Sequence, residues 1–308
     1  MLGWSHRKAG LSMARHHSIS FAAFHKMFPD EDACRDYLFQ KRWPNGFVCP
    51  KCGGFGCYSL RNRKEFVCKQ CHKQSSVTTG TVMHRSHLPL TVWFWAMFLV
   101  SRDKRGYSAK RLSADLDISY HSAWYLLHRI RKAMAERDSI YQLIGTIEMD
   151  ETFYGAPGAR KHGRGTGKTS ILVALSKDTQ GRPGFLKMKV APVTKQAIGG
   201  MVSGSVTPGS VVQTDGLNLY QYALSDEYQH DPHPNGTDPS MLNWTHTVIS
   251  NAKAFLHGTF HGLDKRHLQR YLDEYCYRFN RRFYPEELFS HLCSAVMQSH
   301  ILGLVELK

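Results

Sequence analysis

The spacing of apolar residues changes three times along the chain, and each change predicts a different kind of element. From Ser20 to Lys41, Phe21, Phe24, Phe28, Tyr37 and Leu38 recur at helical intervals on either side of Pro29, which predicts two short helices. Trp43-Pro44-Asn45-Gly46 then turns the chain, and two short β-type pairs, Phe47-Val48 and Phe66-Val67, alternate with polar turns at 51–54 and 69–73. Between Leu88 and Arg137 the period is helical again. Pro89 suits a first turn, Leu112 and Leu116 stand one turn apart, and Ser119 can cap a helix whose Ala123, Leu126, Leu127, Ile130 and Met134 share a face.

After Tyr141 the runs become β-branched. Leu143 to Asp150, Thr169 to Ser176, Phe185 to Val193 and Val211 to Asp215 predict strands, Thr194 to Ser203 a helix, and Glu227 to Asn243 a long polar excursion. Helices are expected from His246 to His257, on Leu268, Leu272, Tyr275 and Phe279, and after Pro285. The whole reads as a multi-domain α/β protein: a basic arm with short helices (1–45), a cysteine-bearing module (46–84), a helix-turn-helix-like segment (85–140) and a mixed sheet with flanking helices (141–308).

A chain of 308 residues with 42% hydrophobic content can bury a core of ordinary size. Its formal charge of +15 points to a polyanionic partner, nucleic acid before an anionic membrane. The run from Leu88 to Val100 is too short for the roughly 20 residues of a membrane span, so it predicts a buried helix. Residues 1–19 form a basic arm without apolar periodicity, and Met13 is a second possible start. Nothing in the arm looks like a secretory leader, so the expectation is a cytoplasmic, nucleoid-associated protein with reduced cysteines.

Cys49-x-x-Cys52 and Cys68-x-x-Cys71, fifteen residues apart, can set four thiolates around one zinc ion, the spacing of a zinc ribbon. Cys57 is a possible competitor, while Cys34, Cys276 and Cys293 read as small buried residues. In the helical segment, Arg129, Arg131 and Lys132 lie off the apolar face. The pair of helices joined near Asp117-Ile118 is therefore either a DNA-reading unit or an ordinary amphipathic pair with a solvated basic face.

Asp150 and Asp215 each close an apolar strand pattern, where a carboxylate either caps a turn or supplies a hard oxygen ligand for divalent-metal phosphoryl transfer. Alternation places Glu148 on the Asp150 face and Glu151 on the other. Gly216 would allow a backbone or a phosphate close to Asp215. A phosphate-binding loop at Gly163 to Thr169 is rejected, because His162 stands where that motif needs glycine and a β-branched run follows. His246, His257 and His261 with Cys276 could suggest a second zinc site, but histidines are common in this basic chain.

Several multi-residue segments together resemble a bacterial insertion-sequence transposase of the ISXO type. They are Phe28-Pro29-Asp30-Glu31, Arg42-Trp43-Pro44, Cys49-Pro50-Lys51-Cys52-Gly53, Thr79-Gly80-Thr81, Glu148-Met149-Asp150-Glu151-Thr152 and Thr214-Asp215-Gly216. Gly258-Thr259-Phe260-His261, His267 to Leu272 and Arg278-Phe279-Asn280-Arg281-Arg282 complete the likeness, which runs from about residue 20 to 283. The resemblance implies a zinc ribbon ahead of a ribonuclease H-like DDE domain that cleaves transposon ends and joins them to target DNA.

It further implies Asp150 and Asp215 as the first two ligands of paired Mg²⁺ or Mn²⁺ ions roughly 3.5–4 Å apart. Asn251, five residues after His246, stands at the third position; its amide oxygen adds no charge, so the second ion should bind more weakly. Arg160, Lys161, Arg164 and Lys168 on the Gly-rich loop, and Arg278, Arg281 and Arg282 on a late helix, are either phosphate contacts or solvated basic surface. The partners implied are double-stranded DNA, as terminal inverted repeats and target, and a second copy of the chain in a dimer or larger assembly. An inactive, transposase-derived DNA-binding repressor is the competing reading.

Overall fold

The computed structural model describes residues 19–60, 63–155, 168–234 and 242–307; the basic arm and Met13 lie outside the described residues. Helix α1 (Phe21–Met27) starts on Ser20, whose hydroxyl accepts from the Ala23 amide at 3.1 Å, and α2 (Glu31–Arg42) on Asp30, whose carboxylate accepts from Ala33 at 2.8 Å. The ribbon that follows is a small antiparallel sheet of β1 (Cys57–Leu60), β2 (Glu65–Cys68) and β3 (Gln74–Ser75). Three helices come next: α3 (Leu90–Arg102), α4 (Ala109–Asp115) and α5 (Tyr120–Ser139), the last capped by Ser119 as its sequence predicts. Pro89 cannot cap α3 with a side chain. Glu31 does so instead, accepting from the Leu90 and Thr91 amides at 3.0 and 2.8 Å.

The remaining elements build a five-stranded sheet and its covering helices: β4 (Thr146–Tyr154), β5 (Thr169–Lys177), β6 (Pro183–Val190), α6 (Lys195–Ser205), β7 (Val211–Asp215), α7 (Asn218–Ala223), β8 (Gln229–His233), α8 (Asn243–Thr259), α9 (Leu268–Asn280) and α10 (Leu288–Gln298). The strand order is β6-β5-β4-β7-β8; β4, β5 and β6 run antiparallel, whereas β7 and β8 join β4 in parallel. This is the ribonuclease H-like arrangement. Ile147, Met149, Leu172 and Ala174 face α6 and α7, while Ile171, Val173 and Leu175 meet Val248, Ala252 and Leu272 of α8 and α9. Strand β8 falls inside the stretch expected as an irregular excursion, and no described helix is long and apolar enough to cross a membrane.

Helix α10 leaves the sheet and returns to the N-terminal helices. Phe289, Leu292 and Val296 share one cluster with Phe24, Leu38, Phe94, Phe98 and Ile130, and that cluster includes Cys49 and Cys68 of the ribbon. The Phe24 and Phe98 rings stack at 4.1 Å, and Phe289 meets Phe24 edge-on at 5.3 Å.

Helix α9 joins the two halves through polar contacts. Asn280 accepts from the Leu186 amide at 2.7 Å and donates to its carbonyl at 3.1 Å; farther along, Gln269 accepts from Val190 and donates to Met188. Two side-chain amides thus satisfy the outer edge of β6 as a sixth strand would. On the other side Glu274, 1% exposed, lies between Arg131 and Arg278 at 2.8 Å from each. Burial opposes its ionisation, yet the two guanidiniums hold its carboxyl below the ordinary range. Its contribution to stability is therefore present above the unfolded glutamate range and lost as pH falls through the lowered value. Glu274→Ala leaves the buried Arg131 and the half-buried Arg278 without a counter-ion, so denaturant unfolding at neutral pH should show a loss of about 3–5 kcal/mol.

Candidate active site

Strand β4 lies at the centre of the sheet, and its alternation sorts its acids onto opposite faces. Glu148 and Asp150 point towards α8, whereas the Glu151 carboxylate accepts a 3.1 Å hydrogen bond from the hydroxyl of Tyr220, a buried residue of α7. Asp150 is mid-strand, since β4 continues to Tyr154, four residues beyond the expected end. Beside it β7 does end at Asp215. Because Met149 pairs with Thr214 in parallel register, the next residue on each strand is an aspartate, so the two acids stand at the same level on neighbouring strands.

The electrostatics agree with that convergence. Burial, with the negative charges of Glu151 and Asp215, pushes the Asp150 carboxyl up to about 6, against the pull of the Glu151 amide and His246. Tyr220 is driven well above the usual phenol range by burial first, then by Glu151, Asp150 and Asp215. Crowded, partly buried carboxylates of this kind fit a divalent cation, which would remove the repulsion that raises Asp150.

Helix α8 supplies the third side. Its N-terminus follows Leu242, which is left-handed (φ 60°) and offers no side-chain cap. Glu148, 2% exposed, takes over that role by accepting from the Thr245 amide at 3.0 Å and its hydroxyl at 2.9 Å, with Lys177 at 3.4 Å. So anchored, the first turn of α8 brings His246 Nε2 to 3.3 Å from Asp150. From the sequence His246 suggests only a second zinc site and the landmark for Asn251, and nothing there places it beside Asp150. Asn251 lies on the exposed face of the same helix, about 7–8 Å farther along the axis, and its side chain makes no hydrogen bond among the described residues.

Removing the Glu148 carboxylate takes the acceptor from the Thr245 amide and hydroxyl in the first turn of α8. Glu148→Ala should cost about 2–3 kcal/mol in thermal or denaturant unfolding, whereas an unchanged midpoint would show that α8 holds its place unaided. Gly216 serves a backbone approach: a Cβ there would meet the Pro234 Cα at 2.9 Å.

The four ribbon cysteines converge, with all Sγ atoms within 4.8 Å of one another; Cys49 to Cys71 is 3.6 Å and Cys52 to Cys68 is 3.7 Å. These separations match the edges of a tetrahedron with Zn–S bonds of about 2.3 Å. Backbone amides of Lys51 and Gln70 approach the Cys49 and Cys68 sulfurs at 3.4 Å each, as thiolate knuckles require. Cys57 is outside the cluster. His257 stacks on Tyr154 and Cys276 is buried in the α8–α9 core, so neither belongs to a metal cluster among the described residues.

The expected DNA-contacting cations are largely used inside the molecule. Arg131 is 2% exposed and paired with Glu274, and Arg281 bonds Asp138 at 2.7 Å. Arg278 is held by Glu274 and the Val100 carbonyl, while Arg282 donates to the Pro183, Gly184 and Phe279 carbonyls. Lys132 pairs with Glu306 at 2.7 Å. Arg129 is buried too, because α5 is enclosed from Ala123 to Met134 by α3, α4, α9 and α10, leaving its first turn exposed. For Arg131, Lys132, Arg278, Arg281 and Arg282 the expectation of phosphate contacts is corrected accordingly, since their charged groups are held by partners within the fold. Lys168 is half-buried at the start of β5; Arg160, Lys161 and Arg164 lie outside the described residues.

Comparison with known proteins agrees with this architecture. A family model described as the ISXO2-like transposase domain matches residues 142–280, and one described as the transposase zinc-ribbon domain matches residues 29–74. Over 210 residues the chain is 31% identical to an uncharacterized protein in transposable element ISH50 of Halobacterium salinarum; the match covers 66% of this chain, and the chain spans 66% of that relative's length. A chain in the cryo-EM structure of a simian T-cell lymphotropic virus intasome in complex with PP2A regulatory subunit B56 gamma aligns at 15% identity. It covers 59% of this chain and 65% of that one at a TM-score of 0.28, too slight a likeness to bear on fold or function.

Proposed function

The chain belongs to the ISXO2-like transposases of the IS1595 family, and from that premise we propose that it cuts DNA at the ends of a mobile element and joins the freed 3′ ends to a target duplex. The observation that carries the reading is the placement of Asp150 and Asp215 at one level of two parallel strands, beside a helix that brings a polar side chain against them. Asp150, Asp215 and Asn251 are the proposed ligands of Mg²⁺ or Mn²⁺. When bound, such ions neutralise charge building on the phosphoryl oxygens and make a water or a 3′-hydroxyl more acidic.

The protein's own groups do the positioning. Glu148 fixes the start of α8, His246 orients the Asp150 carboxylate, and Tyr220 keeps Glu151 turned to the opposite face. In-line displacement at phosphorus then needs no covalent enzyme intermediate. The proposed partners are terminal inverted repeats, target DNA and a second copy of the chain, since two ends must be held together; the ribbon is proposed to hold one structural Zn²⁺. The missing charge at Asn251 favours a second reading, a repressor that binds DNA and does not cut it.

Incubation with supercoiled plasmid and Mg²⁺ or Mn²⁺ separates the two. Nicked or linear product supports the transposase, whereas tight binding without a broken strand supports the repressor. Within the active reading, Asn251→Ala should lower metal-dependent cleavage about tenfold or more, and Asn251→Glu should preserve or raise it. An alanine variant as fast as wild type would take Asn251 out of the ligand set and leave His246 as the helix's donor.

A further inference from the structure

Among the described residues, one buried arginine lacks a counter-ion. Arg129, Arg131 and Arg281 are the buried arginines among the described residues; Arg131 has Glu274 and Arg281 has Asp138, but no carboxylate pairs with Arg129. Arg129 is 7% exposed, its Nη2 reaches the Tyr125 hydroxyl at 3.2 Å, its guanidinium lies 4.4 Å over the Tyr125 ring, and its Nε has no hydrogen-bond partner. A guanidinium kept from water in this way is costly unless an anion joins it.

The space beside it is built for one. A pocket of about 220 Å³ lies between the turn after the ribbon and the first turns of α5, lined by Arg85, His87, His121, Ser122, Tyr125 and Arg129, with no carboxylate in its wall. Burial, then the charges of Arg85 and Arg129, hold the adjacent His84 below the ordinary histidine range. His121 and Ser122 of the pocket lining belong to the first turn of α5, where His121 is exposed and the helix presents its positive end.

We propose that this pocket binds a phosphate group, and that in the working protein the group is one backbone phosphate of duplex DNA. Arg129 is the buried half of the site and Arg85, exposed at its rim, the outer half. The DNA part rests on the proposed function; phosphate binding itself does not. Bidentate arginine contacts to a phosphodiester would clamp the duplex beside the ribbon without reading its bases.

The test uses the full-length, zinc-loaded protein. Thermal unfolding is followed against inorganic phosphate, with chloride at matched ionic strength as control, for wild type, Arg129→Met and Arg85→Gln. Wild type should show a saturable rise in Tm with phosphate. Arg129→Met, which removes the charge and keeps the apolar stem, should lose that rise while matching or exceeding the wild-type Tm in phosphate-free buffer, and Arg85→Gln should weaken it. In parallel, both variants should bind a 30-base-pair duplex at least threefold more weakly, with the slope of log K against log salt reduced by about one.

No phosphate-specific rise in wild type, together with an unchanged duplex affinity and slope in Arg129→Met, would overturn the site. A phosphate response without a change in the duplex slope overturns the DNA half and assigns the pocket to free phosphate. Neither readout involves strand cleavage, so the result stands apart from whether the protein cuts.

Discussion

Asp215→Asn should abolish metal-dependent cleavage, with a fall on the order of 10³-fold or more, about 4 kcal/mol of transition-state stabilisation, while duplex binding without divalent ions stays within about twofold. The size follows from the ligand's role: an amide at this position leaves Asp150 as the one carboxylate of the proposed ligand set, because Glu148 is taken up by Thr245 and Lys177, and one charge cannot hold the ions against their hydration. A control inside the same variant separates this account from a folding defect. Asp215 is one of the charges that push Asp150 up to about 6, so its removal should lower the Asp150 pKa and leave thermal stability unchanged or slightly raised. Loss of cleavage with a large drop in Tm would mean that Asp215 supports the fold, through the turn in which it accepts from the Leu217 amide, more than the chemistry.

Cys68→Ser should release the zinc equivalent and unfold the ribbon, forfeiting on the order of 10 kcal/mol of metal-coupled folding energy. The damage should not stop at the ribbon. Cys49 and Cys68 belong to the cluster that also holds Phe24, Phe94, Phe289 and Val296, so hydrogen exchange should rise in α10 (residues 288–298), more than two hundred positions away, as well as in the ribbon. Strands β4 and β5 rest on separate clusters and should keep their protection. A variant that retains one equivalent of zinc would show that the ligand set is wrong.

What the sequence discloses here follows from how local the governing physics is. The ribbon cysteines are legible because a tetrahedral ion dictates their spacing, and β7 is read to the residue because Val211 to Asp215 alternates between Ser210 and Gly216. Strand β8 is hidden. Gln-His-Asp-Pro-His carries no apolar alternation, since an edge strand needs only its backbone paired on one side. The arginines mislead for a different reason: the charge of Arg131 is visible, but its partner Glu274 is 143 positions away, and only folding joins them.

The same limit applies within the site. Asp150 and Asp215 can be picked out as strand-end acids, whereas the capping of α8 by Glu148 and the approach of His246 to Asp150 depend on a helix packed across the sheet from almost a hundred residues away. Arg129 shows how structure changes the ground of a reading: a cation expected either to meet DNA or to lie on a solvated basic face is enclosed, and its lack of a counter-ion among the described residues becomes the informative feature.

Asp150 and Asp215 are proposed to share divalent cations. Anomalous diffraction from crystals soaked in Mn²⁺ tests this most directly. A peak is expected within about 2.0–2.3 Å of a carboxylate oxygen from each aspartate, with α8 offering the next nearest side chain. Manganese bound only elsewhere, with both carboxylates free of it, would contradict the account and leave a DNA-binding protein without a cutting site.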